Sequence, residues 1–253
     1  MSKMKIAWLF PDTLYLHGER GNILALERYA EAAGFDTETV RITFDTQDFD
    51  PLDYDIIFCP PGEITSFPVV LEKLRPLKDK FFEFIEAGRP LIVTGTSMAM
   101  WCEEVRRTDG SSFSGMGIIA ADVSENEEVY GDDIWYTCEY NGNQIEVIGC
   151  QIQMADFISK GETAFGKLKY GYGNTGNDRA EGFIRKNSIF TNTLGPVLVA
   201  NPELTKNVVK AAAAAKGEEA GTMDLDTSIE ESSFEVKKQF ISTKVTRLKN
   251  CLD

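Results

Sequence analysis

One histidine, His17, and five cysteines, Cys59, Cys102, Cys138, Cys150 and Cys251, are the residues of this 253-residue chain best suited to nucleophilic chemistry. A cysteine nucleophile needs a base to take its proton, and a single imidazole near the N-terminus leaves few pairings. Cys59 closes an apolar run before Pro60-Pro61-Gly62, and Thr94-Gly95-Thr96-Ser97 follows a second apolar run. A hydroxyl or thiol on such turns stands where parallel sheets place their reactive groups. Thr96 and Ser97 also suit the N-cap of a following helix, which is their ordinary role. Cys102 lies seven residues past Gly95, roughly 10 Å along a helix axis, and is expected to point into packing. His17 is expected to be a loop histidine satisfied by a neighbour such as Glu19. The cysteines show no CxxC pair and no second histidine, so the spacing offers neither a disulfide framework nor a zinc site, and no metal or cofactor is expected.

The elements that must position these residues alternate. Lys5–Phe10 reads as a strand, Gly21–Ala33 as an amphipathic helix closed by Gly34, and Thr37–Ile42 as a half-buried strand. Tyr54–Cys59 is a third strand, Val69–Ala87 a long helix ended by Gly88, and Pro90–Val93 a short buried strand leading into a Met98–Cys102 helix. This order predicts a mostly parallel sheet flanked by helices, with the reactive positions at the carboxyl ends of the strands. Beyond Gly110 the pattern changes. Tyr130–Tyr140 and Gln144–Gln153 alternate around Asn141-Gly142-Asn143, a hairpin signal. Gly171-Tyr172-Gly173-Asn174 lacks the frame of a phosphate loop and reads as a structural turn. Glu125, Glu127, Glu128, Asp132 and Asp133 read as a solvated face. A strand around Ser188–Thr193, an alanine-rich helix over Asn207–Lys216 and a final helix over Ser228–Leu252 complete the chain. We expect one unit over residues 1–216, with a linker and C-terminal helix over 217–253.

The segment Leu14-Tyr15-Leu16-His17-Gly18-Glu19-Arg20-Gly21-Asn22-Ile23 resembles the N-terminal "LYxDxGN" segment of class I glutamine amidotransferases, in their cobyric-acid-synthase/GatD-like branch. The strand and turn at Pro90–Trp101, the Gly171–Asn174 run and the stretch from Glu181-Gly182 to Gly195-Pro196 follow in matching order. The resemblance implies a flavodoxin-like α/β fold with an added antiparallel hairpin and C-terminal helices. It also implies a partner, a MurT-like Mur ligase subunit of a cell-wall amidation system or a related synthetase. Such enzymes hydrolyse glutamine with a cysteine on the strand-to-helix turn, a later histidine and a glycine-rich oxyanion loop. In this sequence the cysteine position falls at Gly95 and the histidine position at Leu194. The oxyanion loop falls at Pro60-Pro61-Gly62, where proline removes N–H donors. The stretch that helps hold substrate falls near Cys150–Asp156, which contains neither Arg nor His. Four departures in one catalytic unit imply lost glutaminase chemistry and a docking or regulatory role. Two alternatives stay open: a repurposed enzyme using Cys59, Ser97 or His17, and a protein that binds a small carboxylate ligand around Thr94, Gly95, Thr96 and Ser97.

Composition narrows the partners. A net charge of −14 argues against nucleic acid and anionic membrane surfaces. No apolar run reaches 18 residues, so no membrane insertion is expected. The short basic start followed by a short apolar run is unlike a signal peptide, and the cytoplasm is the expected location.

Overall fold

The computed structural model describes residues 2–250, with side chains through residue 244; Cys251 and the end of the expected final helix lie outside the described residues. The first half winds β1 (Lys3–Leu9), α1 (Arg20–Ala32), β2 (Asp36–Ile42), β3 (Ile56–Cys59), α2 (Phe67–Leu74), α3 (Lys78–Glu86) and β4 (Leu91–Thr94). Short strands β5 (Glu104–Arg106) and β6 (Ser112–Ser114) lead to the long pair β7 (Ala121–Tyr140) and β8 (Asn143–Ser159). Then come β9 (Gly166–Tyr170), β10 (Ala180–Glu181), β11 (Phe183–Arg185), β12 (Ser188–Thr191) and β13 (Thr193–Leu194). Helices α4 (Val197–Ala200), α5 (Pro202–Ala215) and α6 (Ser228–Asn250) finish the described chain.

Six strands form the central sheet in the order β11-β12-β4-β3-β1-β2, parallel throughout except for the β11–β12 pair. β3 and β4 are buried at every position, as expected of strands covered on both faces. Their alternate side chains feed two cores. Ile57, Cys59, Leu91 and Val93 pack with Phe67, Leu71, Phe81 and Phe84 of α2 and α3. Ile56, Phe58 and Ile92 pack with Ile23, Leu26 and Tyr29 of α1 and with Val208 and Ala212 of α5.

Three expectations need correction and one is extended. The helix read over Val69–Ala87 is two helices, because Pro76 sits in a one-turn 3-10 segment, Arg75–Leu77, where a proline cannot continue the α-helical ladder. The helix read over Met98–Cys102 is a 3-10 helix over Gly95–Trp101, and neither Thr96 nor Ser97 caps it. The expected antiparallel hairpin is present as β7–β8, and it extends further, as the spine of a second sheet. In this seven-stranded sheet β7 pairs with β5, β8 and β9. Its turn holds Asn141 and Gly142 at φ 50° and 74°, the left-handed pair that a tight hairpin demands. Finally, the acidic residues are not a plain solvated face. Glu125 pairs with Arg107 at 2.6 Å, and Asp132 and Asp133 both meet Lys244 of α6.

Candidate functional site

The parallel register brings three strand ends together, Cys59 beside Val93 and Thr94 beside Thr191. Beyond them lie Pro60-Pro61-Gly62, the Gly95 turn and the Asn192–Leu194 segment, so the three segments that the sequence resemblance aligns with an oxyanion loop, a nucleophile and a histidine are neighbours. Their side chains are knitted to one another. Ser97 Oγ donates to the Pro60 carbonyl at 2.7 Å, and Thr96 Oγ1 donates to the Gly62 carbonyl at 2.5 Å. The Leu16 N–H donates to the Pro61 carbonyl at 3.2 Å, seating the segment before His17 on the same loop.

Gly95 has φ +60°, the strained turn that exposes a nucleophile at the end of a strand. Here the space above it is occupied. A Cβ on Gly95 would lie 2.9 Å from Pro61 Cβ and 3.1 Å from Leu194 Cδ2, and Leu194 is itself buried. A Cβ on Gly62 would lie 2.3 Å from Leu14 Cδ2. Pro61 and Leu194 pack over the turn and fill the space that a side chain at position 95 would enter.

The thiols divide by burial. Cys59 is fully buried with its thiol pushed up to about 12 by desolvation, and Cys138 is pushed up to about 12 for the same reason. Cys102 is likewise raised by burial and donates to the Met98 carbonyl at 3.4 Å. Cys150 is only half-buried, and its sulfur would lie 3.0 Å from a Cβ on the exposed Gly195. A brief iodoacetamide pulse followed by peptide mapping should label Cys150 at least about tenfold faster than Cys59 or Cys102, since thiolate formation and access both favour it. Equal labelling of Cys59 would show that the strand ends open to solvent.

His17 lies exposed in a one-turn 3-10 segment, Leu16–Gly18, with φ +62°, and partial desolvation lowers its pKa. Its expected partner faces elsewhere. The Glu19 carboxyl is buried and accepts from Asn22 Nδ2 at 2.5 Å and from the Gly195 N–H at 3.1 Å. Burial pushes Glu19 up to about 7, against the opposing pull of those hydrogen bonds. The buried Thr94 hydroxyl faces this carboxyl without reaching hydrogen-bond geometry.

A second carboxyl, which the sequence reading used only as a motif position, sits at the same strand ends. Glu181 is fully buried; its Oε1 accepts from Thr191 Oγ1 and from the Asn192 N–H, each at 2.8 Å. Its other oxygen has no partner among the described residues, and neither has Asn192 Nδ2. Desolvation again pushes this group to about 7. The stretch near Cys150–Asp156 contributes Gln151 and Gln153, both buried and bonded to the Gly173 and Asn174 carbonyls, so it holds the glycine-rich turn in place. That turn is structural, as expected: Asn174 exchanges hydrogen bonds with Gly182 through both ends of its amide. Among the described residues no group of three or more His, Cys, Asp or Glu side chains is arranged to hold a metal ion, and no helix is long and apolar enough to cross a membrane.

A mostly parallel central sheet in this strand order, a tight turn after β4 and a mostly antiparallel second sheet make a class I glutamine amidotransferase-like fold. At 14% identity, the structure of PurLQS from Thermotoga maritima superposes with a TM-score of 0.52, over 84% of this chain and 95% of that one. The sequence is similar to the lipid II isoglutaminyl synthase (glutamine-hydrolyzing) subunit GatD of Staphylococcus aureus (strain N315), at 25% identity over 91% of this chain and 93% of the relative. It is also similar to the subunit of the same name from Streptococcus pneumoniae (strain ATCC BAA-255 / R6), at 24% identity over 83% of this chain and 80% of the relative. No protein-family model matches the chain.

Proposed function

We propose that this chain is a GatD-like subunit that does not hydrolyse glutamine and serves a lipid II-amidating system by docking a MurT-like Mur ligase. The observation that carries the reading is the filled elbow: Pro61 and Leu194 occupy the space a nucleophile at Gly95 would need. Supporting it, Pro60 and Pro61 supply no N–H to an oxyanion, and the Thr96 and Ser97 hydroxyls are spent on backbone carbonyls. The curated relatives are named as subunits of a larger synthase, which is what a docking role requires of this one. In this reading residues 1–216 form the amidotransferase-like unit and 217–253 a tail. Binding of a small carboxylate at Gly95 needs space that the proline and leucine occupy.

The test is ammonia release from glutamine by the purified chain, alone and mixed with the Mur ligase-like protein of its source. We expect release indistinguishable from buffer in the isolated chain, together with co-elution of the two proteins at equal molar amounts. Glutamine-dependent ammonia that disappears on a substitution in this chain would sink the proposal, and so would failure of the two proteins to associate.

A further inference from the structure

The C-terminal helix α6 is fastened to the body by charge more than by apolar burial. Its lysines turn inward onto the β7–β8 hairpin. Lys237 pairs with Asp133 at 3.1 Å, Lys238 with Glu146 at 2.5 Å, and Lys244 with Asp133 at 2.8 Å and with Asp132. Lys238 and Lys244 also lie over the Trp135 and Tyr170 rings, at 5.7 and 5.5 Å from the centroids. Near the start of the helix Glu230 is held by Arg28 of α1 at 3.3 Å. Among the described side chains of α6, Ile241 is the one apolar group fully buried, and Phe234 is half-buried. Lys237, Lys238 and Lys244 keep 31%, 30% and 28% of their side-chain surface in water, so salt reaches each of their pairs.

The register beneath the helix shows what these pairs hold shut. Asp133 stands directly opposite Cys150, and Thr137 opposite Glu146, in the β7–β8 pair. Opposed residues share one face of an antiparallel pair, and so do alternate residues along each strand. Asp133, Trp135, Glu146 and Cys150 therefore lie on the one face that α6 covers. The Cys150 thiol is half-buried there and feels the positive charge of Lys237. Ion pairs this exposed are individually weak and fade as ionic strength rises. Neither core cluster draws on a described side chain of α6, so the body keeps both cores when the helix leaves. We infer that α6 is a releasable strap, closed by the Lys237, Lys238 and Lys244 pairs, which opens when those charges are screened and bares an acidic, aromatic face together with the Cys150 thiol. The strap is a property of this chain alone and stands apart from the subunit reading.

Alkylation of Cys150 by iodoacetamide in the full chain, followed by peptide mass mapping, reads the opening, because the rate tracks the open population. Between roughly 20 mM and 1 M sodium chloride that rate should rise at least about fivefold, while Cys59 and Cys138 stay slow. Amide hydrogen exchange over α6 should speed up in parallel. Lys237→Gln with Lys244→Gln should label Cys150 at least about fivefold faster than the parent at low salt, and should lose most of the salt response. Removing the Lys237 charge without opening would disfavour the thiolate and slow the reaction, so acceleration in this variant reports exposure. A Cys150 rate that ignores both salt and the two substitutions would overturn the inference, as would α6 amides that exchange no faster. Cys59 and Cys138 speeding up together with Cys150 would overturn it too, because the whole body would then be opening rather than the strap.

Discussion

Gly95→Ala should lower the free energy of unfolding by about 2–5 kcal/mol, measured by urea denaturation. Two causes add. The residue sits at φ +60°, where an L side chain costs about 1–2 kcal/mol. The new methyl would also approach Pro61 Cβ to 2.9 Å and Leu194 Cδ2 to 3.1 Å, and overpacking of this kind costs about 1–3 kcal/mol. Leu194→Ala alone should cost about 2–5 kcal/mol through the cavity it leaves. Because the leucine is one of the two atoms groups in the way, the double variant should lose at least about 1 kcal/mol less than the two singles together. Strict additivity, or a Gly95→Ala protein as stable as the parent, would show that the elbow is open. The same crowding predicts that Gly95→Cys with Leu194→His brings no glutamine hydrolysis: Pro61 still blocks the turn, and the loop before it still lacks donors.

How much of this could be read from residues alone depends on the range of the interaction involved. Buried strands such as Ile56–Cys59 and Leu91–Thr94 announce themselves by unbroken apolar runs, and Asn141-Gly142 by its left-handed backbone. The parallel sheet followed from their alternation with helices. Pro76 was visible in the sequence too, but the apolar periodicity runs across it and masks the break. Thr96 and Ser97 fit a capping pattern; only the approach of the Pro60–Gly62 loop, 34 to 37 residues earlier in the chain, gives their hydroxyls better acceptors. The inward lysines of α6 depend on hairpin carboxylates about a hundred residues away, and no local pattern carries that pairing. Glu19 and Glu181 were missed as chemical groups for the same reason. A glutamate's burial is a property of what folds over it, and a charged letter in a sequence looks solvated. The one local signal for Glu181 was the apolar company of Phe183 and Ile184 in a motif otherwise judged by its missing histidine.

Glu181 therefore carries the second large effect, a dependence of stability on pH that an ordinary surface glutamate would not produce. Its side chain ionises near 4.5 when the chain is unfolded, and burial holds the proton to about 7 when the chain is folded. Below 4.5 both states are protonated and the carboxyl is stabilised by its contacts with Thr191 and Asn192. As pH rises from 4.5 to 7 the folded state keeps a proton the unfolded state has released, so stability falls with pH. Above 7 the loss is complete, at about 3 kcal/mol for this one group. Glu19, raised to about 7 by burial as well, shifts in the same direction. Glu181→Gln removes the titration while keeping the acceptor that Thr191 and Asn192 use. The urea-derived stability of this variant relative to the parent should improve by about 2.5 kcal/mol between pH 5 and pH 8. Whatever constant penalty the amide introduces at the unpartnered Oε2 position cancels in that comparison. A stability difference that stays flat across the window would mean that Glu181 is already ionised in the folded protein at pH 5. Its unpartnered oxygen would then have to be met by a hydrogen-bond donor or a cation strong enough to offset full burial.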